Sequence, residues 1–178
     1  MKASKLFILI VMSVLINTIS SEEIISNLKI AAGFEISIFA ENLDAPRQMA
    51  EGKNGTIFVG ERSGQILALI DSDFNGQVDS KIIIAKDLEY STGISLFDGD
   101  LYFSEISKIW KIENIEQWIN NFNQDTALPQ KILVVDKLPD DKWHGWKWLK
   151  HDQEGSLFFN IGAPCNICLS KNPQYASI

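Results

Sequence analysis

Asn54-Gly55-Thr56-Ile57-Phe58-Val59 recurs as Asp98-Gly99-Asp100-Leu101-Tyr102-Phe103 and again as Glu154-Gly155-Ser156-Leu157-Phe158-Phe159. Each copy is a polar residue, a glycine, a small or acidic residue and an apolar triplet. The polar-Gly pair predicts a tight hairpin turn, because glycine adopts the positive φ such turns require. The triplet after it predicts a buried strand.

The repeat extends on both sides. Ile66-Leu67-Ala68-Leu69-Ile70 and Ile109-Trp110-Lys111-Ile112 follow the first two turns as further strands, and Ile82 to Ala85 and Lys131 to Val135 follow those as outer strands. Gln48 to Glu51, Gly93 to Phe97 and Trp146 to Lys150 precede the turns as innermost strands. The turn glycines lie 44 and then 56 residues apart, the period of four-stranded propeller blades. The longer interval holds Ile115, Trp118, Ile119 and Phe122, whose spacing predicts a short amphipathic helix. The expectation is an all-β chain, a β-propeller with blades at about 46–86 and 90–137 and an incomplete third at 143–178. Two and a half blades cannot close a ring of four to eight. The chain therefore reads as the N-terminal portion of a propeller, with Phe34 to Ala40 as the strand that would complete the last blade. Open strand edges would make it marginal or self-associating.

At the N-terminus, Lys2 and Lys5 precede an apolar run from Leu6 to Ile16 and the small polar residues Asn17 to Ser21. That pattern predicts a signal peptide over 1–21, since the run is short for a membrane span. The mature chain, 22–178, would be exported, to the periplasm or outside the cell, with no membrane partner after cleavage. Losing the two lysines takes the net charge from -7 to -9. So acidic a chain, with no basic stripe, is a poor nucleic-acid binder.

Cys165 and Cys168 form a C-x-x-C pair. Leu169 stands where c-type haem attachment needs histidine, and His144 and His151 are the only other candidates for a zinc site. No βαβ pattern surrounds the pair as in a redox motif; beside the metal half-site, the plain reading is a local disulfide or two packed thiols. Asp71-Ser72-Asp73-Phe74-Asn75-Gly76-Gln77-Val78-Asp79 spaces oxygen ligands as an EF-hand loop does, but Ile82 occupies the place of the final glutamate. It reads either as a weak calcium loop or as a solvated hairpin, and no residue is assigned as a metal ligand.

The densest chemical constellation is Asp140-Asp141-Lys142-Trp143-His144-Gly145-Trp146-Lys147-Trp148. His144 falls at the entrance to an innermost strand, where an imidazole can act as a general base; the competing reading is a histidine bonded within a turn. Alternation would set Trp146 and Trp148 on its side and Lys147 opposite.

Gly33-Phe34-Glu35-Ile36, Ala45-Pro46-Arg47, Gly55 to Gly60, His144-Gly145-Trp146-Lys147 and above all Ile161-Gly162-Ala163-Pro164-Cys165-Asn166-Ile167-Cys168 resemble the L-sorbosone dehydrogenase branch of the soluble sugar dehydrogenases that use pyrroloquinoline quinone (PQQ). The resemblance spans residues 33 to 178. It implies a six-bladed propeller holding PQQ and calcium, a small-molecule sugar substrate, and His144 as the base that takes the substrate hydroxyl proton. It implies cofactor contacts at Arg47, Thr92 and Lys147. In the glucose-oxidising branch an aspartate after the Ile-Gly supports the histidine; here Ala163 stands there, so His144 needs another orienting partner. The family's remaining cofactor contacts and calcium ligands belong to blades outside these residues. The alternative is a non-catalytic exported propeller fragment that acts as a binding module, completed by another chain or by self-association.

Overall fold

A computed structural model describes residues 25–178. The signal peptide expected over 1–21 lies outside the described residues. The chain divides into two units, up to Ile38 and from Phe39 onward. The described part of the first holds two turns, with Leu28 N–H donating to Ile25 and Phe34 N–H to Ala31.

The second unit is nearly all β. Strands β1 (Pro46–Glu51), β2 (Ile57–Glu61), β3 (Gln65–Ile70) and β4 (Ser80–Ala85) form one antiparallel sheet in that order. Strands β5 (Ile94–Phe97), β6 (Asp100–Ser104), β7 (Ile109–Ile112) and β8 (Ile132–Val135) form a second sheet in the same way. A two-stranded sheet follows, pairing β9 (Leu149–His151) with β10 (Leu157–Phe159). Helix α1 (Ile115–Asn120) sits between β7 and β8, as the apolar spacing predicts. Gly55, Gly99 and Gly155 have φ of 80°, 86° and 91°, the left-handed region that explains the residue type in each turn.

The sheets stack through their alternate residues. Phe58, Ile66, Ala68 and Ile84 of the first meet Ile94, Leu101, Phe103 and Ile112 of the second, with Ile115 of α1. Phe58 and Phe103 are fully buried, each contributing about 2–3 kcal/mol of apolar transfer energy. Ile109 and Leu138 meet Leu149 and Ile161 in a second core between the second and third sheets. β3 reads as an unbroken apolar run because both its faces are covered: Ile66 and Ala68 face the first core, while Leu67 and Leu69 lie with Val59, Phe39, Ala40 and Leu43.

Phe34 to Ala40 is in no ladder among the described residues, and the strand expected to pair with it belongs to a blade outside them; the Phe39 carbonyl accepts from Val78 N–H at 3.0 Å. One strand expectation changes. The third innermost strand begins at Leu149 rather than Trp146, since Asn160 occupies the main chain of residues 146–148 with side-chain hydrogen bonds. Those residues keep strand alternation: 144, 146 and 148 are exposed while 145, 147 and 149 are buried.

The first strands of the three sheets are tied by one side chain. Gln48 of β1 is buried, and its Oε1 accepts from Ile94 N–H of β5 (3.0 Å) and Leu149 N–H of β9 (2.9 Å). Its Nε2 donates to the Leu149 carbonyl at 2.7 Å. Neighbouring sheets share no ladder, so one amide satisfies main-chain groups that would otherwise be buried without partners.

Candidate active site

His144 lies in the turn before β9, exposed, with φ of 57°. Its Nδ1 is 3.1 Å from the carbonyl oxygen of Ala163. A carbonyl only accepts, so Nδ1 carries a proton, and Nε2 is the nitrogen whose lone pair a neutral ring would present. The orienting partner that the Ala163 side chain cannot provide is thus the Ala163 main chain. Gly162 makes the approach possible, because a Cβ there would overlap the His144 carbonyl oxygen and come 2.9 Å from the His144 Cβ. The turn is fixed from below as well. Tyr175 Oη donates to Asp141, and Ile161 exchanges main-chain hydrogen bonds of 2.9 and 3.2 Å with Ser177.

Beside this turn, Pro46, Arg47, Gln48, Thr92, Trp146, Lys147, Trp148 and Asn160 line a cavity of about 470 Å³. The three residues expected to hold a cofactor, Arg47, Thr92 and Lys147, therefore share one cavity; His144 is not among its lining residues. Thr92 Oγ1 donates to the Lys147 carbonyl at 3.1 Å, which fixes the hydroxyl to the wall. Lys147 is 3% exposed, and its ammonium donates to the Gly145 carbonyl at 2.8 Å. Burial pulls its pKa down to about 8. Arg47 lies 4.6 Å and Arg62 4.8 Å from the centroid of the Trp146 ring, both as cation–π contacts.

The lining carries two cations and no carboxylate. The ion pairs of the described residues, Lys111 with Asp100 and Glu113 and Lys142 with Glu89, involve none of Arg47, Arg62 or Lys147. A lining with cationic residues and no carboxylate favours an anionic ligand over a cation. It suits a planar polycarboxylate such as PQQ. It does not suit calcium, which takes oxygen ligands with carboxylates prominent among them.

Elsewhere, Asp71, Asp73 and Asp79 bring carboxylate oxygens within 4.8 Å of one another. Their oxygens already accept from Ser72, Asn75 and Gly76 of the same loop, and Ile82 is buried. Cys165 and Cys168 are joined in a disulfide, which settles the choice left open by their spacing. His151 is buried against Phe97 and Tyr102, with Nδ1 2.9 Å from Ser95 Oγ, and burial holds its pKa below the usual histidine range.

Gln48, Asn160 and Arg62 were not singled out by sequence reasoning. Asn160 left a faint signal, as a polar residue at the end of an apolar strand run; Gln48 and Arg62 left none.

The sheet order and stacking define a partial β-propeller-like fold of the kind found in PQQ domains. In particular, the chain is similar to the holo form of the pyranose dehydrogenase PQQ domain from Coprinopsis cinerea, with TM-score 0.64 and 19% identity over 78% of this chain and 33% of that one. The calcium structure of a Trichoderma reesei carbohydrate-active enzyme of family AA12 gives TM-score 0.61 and 18% identity over 76% of this chain and 34% of that one. Likeness at this identity shows the fold. No family model matches the sequence. An uncharacterized protein of Borreliella burgdorferi is 32% identical over 155 residues, 84% of this chain and 39% of that protein. The chain thus spans about two fifths of that relative and a third of the solved structures. Among the described residues, no helix is long and apolar enough to cross a membrane.

Proposed function

We propose that this chain supplies the first blades of a PQQ-dependent aldose or sorbosone dehydrogenase, with the sheets β1–β4, β5–β8 and β9–β10 as successive blades of a six-bladed ring in an exported protein. The observation that carries this proposal is the meeting of Arg47, Thr92 and Lys147 in one anion-matched cavity beside an oriented histidine.

In this proposal Arg47 and Lys147 hold carboxylates of the cofactor, and Trp146 and Trp148 wall the cavity and limit water. His144 Nε2 takes the proton of the substrate hydroxyl, while the Ala163 carbonyl stabilises the ring as it becomes positively charged. When bound, PQQ would supply the two-electron oxidant for a sugar hydroxyl or aldehyde. No step is assigned to calcium, because the cavity offers it no carboxylate.

Titrating PQQ into the protein, followed by quenching of tryptophan fluorescence, tests the site. Saturable quenching that weakens at least tenfold in an Arg47→Ala, Lys147→Met variant is expected. Equal quenching in wild type and variant would remove the cofactor assignment and leave the fold as a binding module.

A further inference from the structure

His144 depends on a main-chain carbonyl, so whatever fixes that carbonyl fixes the base. Upstream, Ile161 is held by its two hydrogen bonds to Ser177. Downstream, only Pro164 separates Ala163 from Cys165, whose disulfide to Cys168 closes a four-residue loop with the two Cα atoms 5.9 Å apart. Residues 166 to 172, in and beyond that loop, are exposed and outside any ladder. A loop this short gains little from restricting the unfolded chain, so the consequence of the cross-link is local. The imidazole itself is exposed, with the Trp143 ring tilted beside it at 5.4 Å and, among the described residues, no side-chain hydrogen-bond partner.

We propose that the Cys165–Cys168 disulfide is a positioning device for His144, acting through the Ala163 carbonyl. This rests on the assignment of His144 as the base. With the bond intact, the 163–168 loop presents one carbonyl to Nδ1, which keeps the proton there and leaves Nε2 free to accept. A dithiol can reach the bond, since Cys168 is exposed. Reduction breaks the S–S bond, delivers two electrons and two protons to give two thiols, and leaves the dithiol as its own disulfide. The 163–168 loop then gains backbone freedom, and the imidazole loses its fixed tautomer and orientation.

The chain has two histidines, and they make the test internal. Imidazole nitrogen shifts of His144 and His151 are recorded with the disulfide intact, after dithiothreitol, after reoxidation, and in a Cys165→Ser, Cys168→Ser variant. The expected result is an Nδ1–H tautomer for His144 in the oxidised protein. In the reduced protein and in the variant it moves to the two-tautomer average of an unrestrained ring, and reoxidation restores it. His151, held by Ser95 far along the chain, stays unchanged and reports an intact fold. An unchanged His144 tautomer in protein with two titratable thiols would overturn the proposal. So would a change in both histidines together, which marks general loosening instead of local positioning. The assignment of His144 as the base fails separately, if dye-linked turnover survives His144→Ala while the tautomer still follows the disulfide.

Discussion

His144 Nδ1 and the Ala163 carbonyl oxygen are 3.1 Å apart, and Gly162 is what lets them be. A methyl at residue 162 would overlap the His144 main chain, so the strand or the turn must shift. Gly162→Ala is expected to cost about 1–3 kcal/mol of stability, as overpacking does. It should also release the His144 tautomer. Urea unfolding together with imidazole nitrogen shifts checks both; unchanged stability with an unchanged tautomer would contradict the close packing.

Gln48 joins three strands through one amide, so its loss strands two N–H groups and a carbonyl in the interior. Gln48→Ala is expected to destabilise the protein by roughly 2–4 kcal/mol, since each buried polar group left unpaired costs about 1–3. Gln48→Met, which restores volume without polarity, should recover little of it. Full recovery would mean that packing, not hydrogen bonding, is what Gln48 provides.

How much of this was open to sequence reading depends on the range of the interaction. The glycine turns and strand periods are local, set by positive φ at Gly55, Gly99 and Gly155 and by alternating burial, and they were legible. The helix at Ile115–Asn120 was legible for the same reason. Gln48 was not, because its partners lie 46 and 101 residues away. Nor was the Ala163 carbonyl, since every residue has one and no side chain marks its use.

Below its pKa of about 8, Lys147 is a buried charge held by no ion pair among the described residues. Without a ligand, Lys147→Met is expected to stabilise the protein by about 1 kcal/mol or more, as replacing an unpaired buried charge does. A wild type more stable than this variant at pH 7, measured by urea midpoint with no ligand present, would show that the ammonium is not penalised by its surroundings.

The same residue gives a pH signature. Its pKa is about 8 in the folded protein against 10.5 for an unperturbed lysine, so the unfolded chain binds more protons across that interval. Stability therefore rises with pH from about 8 towards 10.5 and is lower below it. The difference between wild type and Lys147→Met should shrink over this window. In acid, His151 acts in the same direction: its folded pKa is depressed, chiefly by burial, so stability falls as pH drops below 6.5. A wild-type-to-variant difference that stays flat from about pH 7 to 10 would contradict the assignment to Lys147.

The central claim is that His144 is the base of a PQQ-dependent sugar oxidation. The direct measurement is dye-linked turnover, with PQQ, calcium and a panel of aldoses and sorbosone, in a protein that carries this chain together with the remaining blades. Wild type is predicted to turn over, and His144→Ala to lose about 10²–10⁴-fold in kcat while still binding PQQ, the range that removing a general base gives. Turnover unchanged in His144→Ala, in protein shown to hold PQQ, would contradict it.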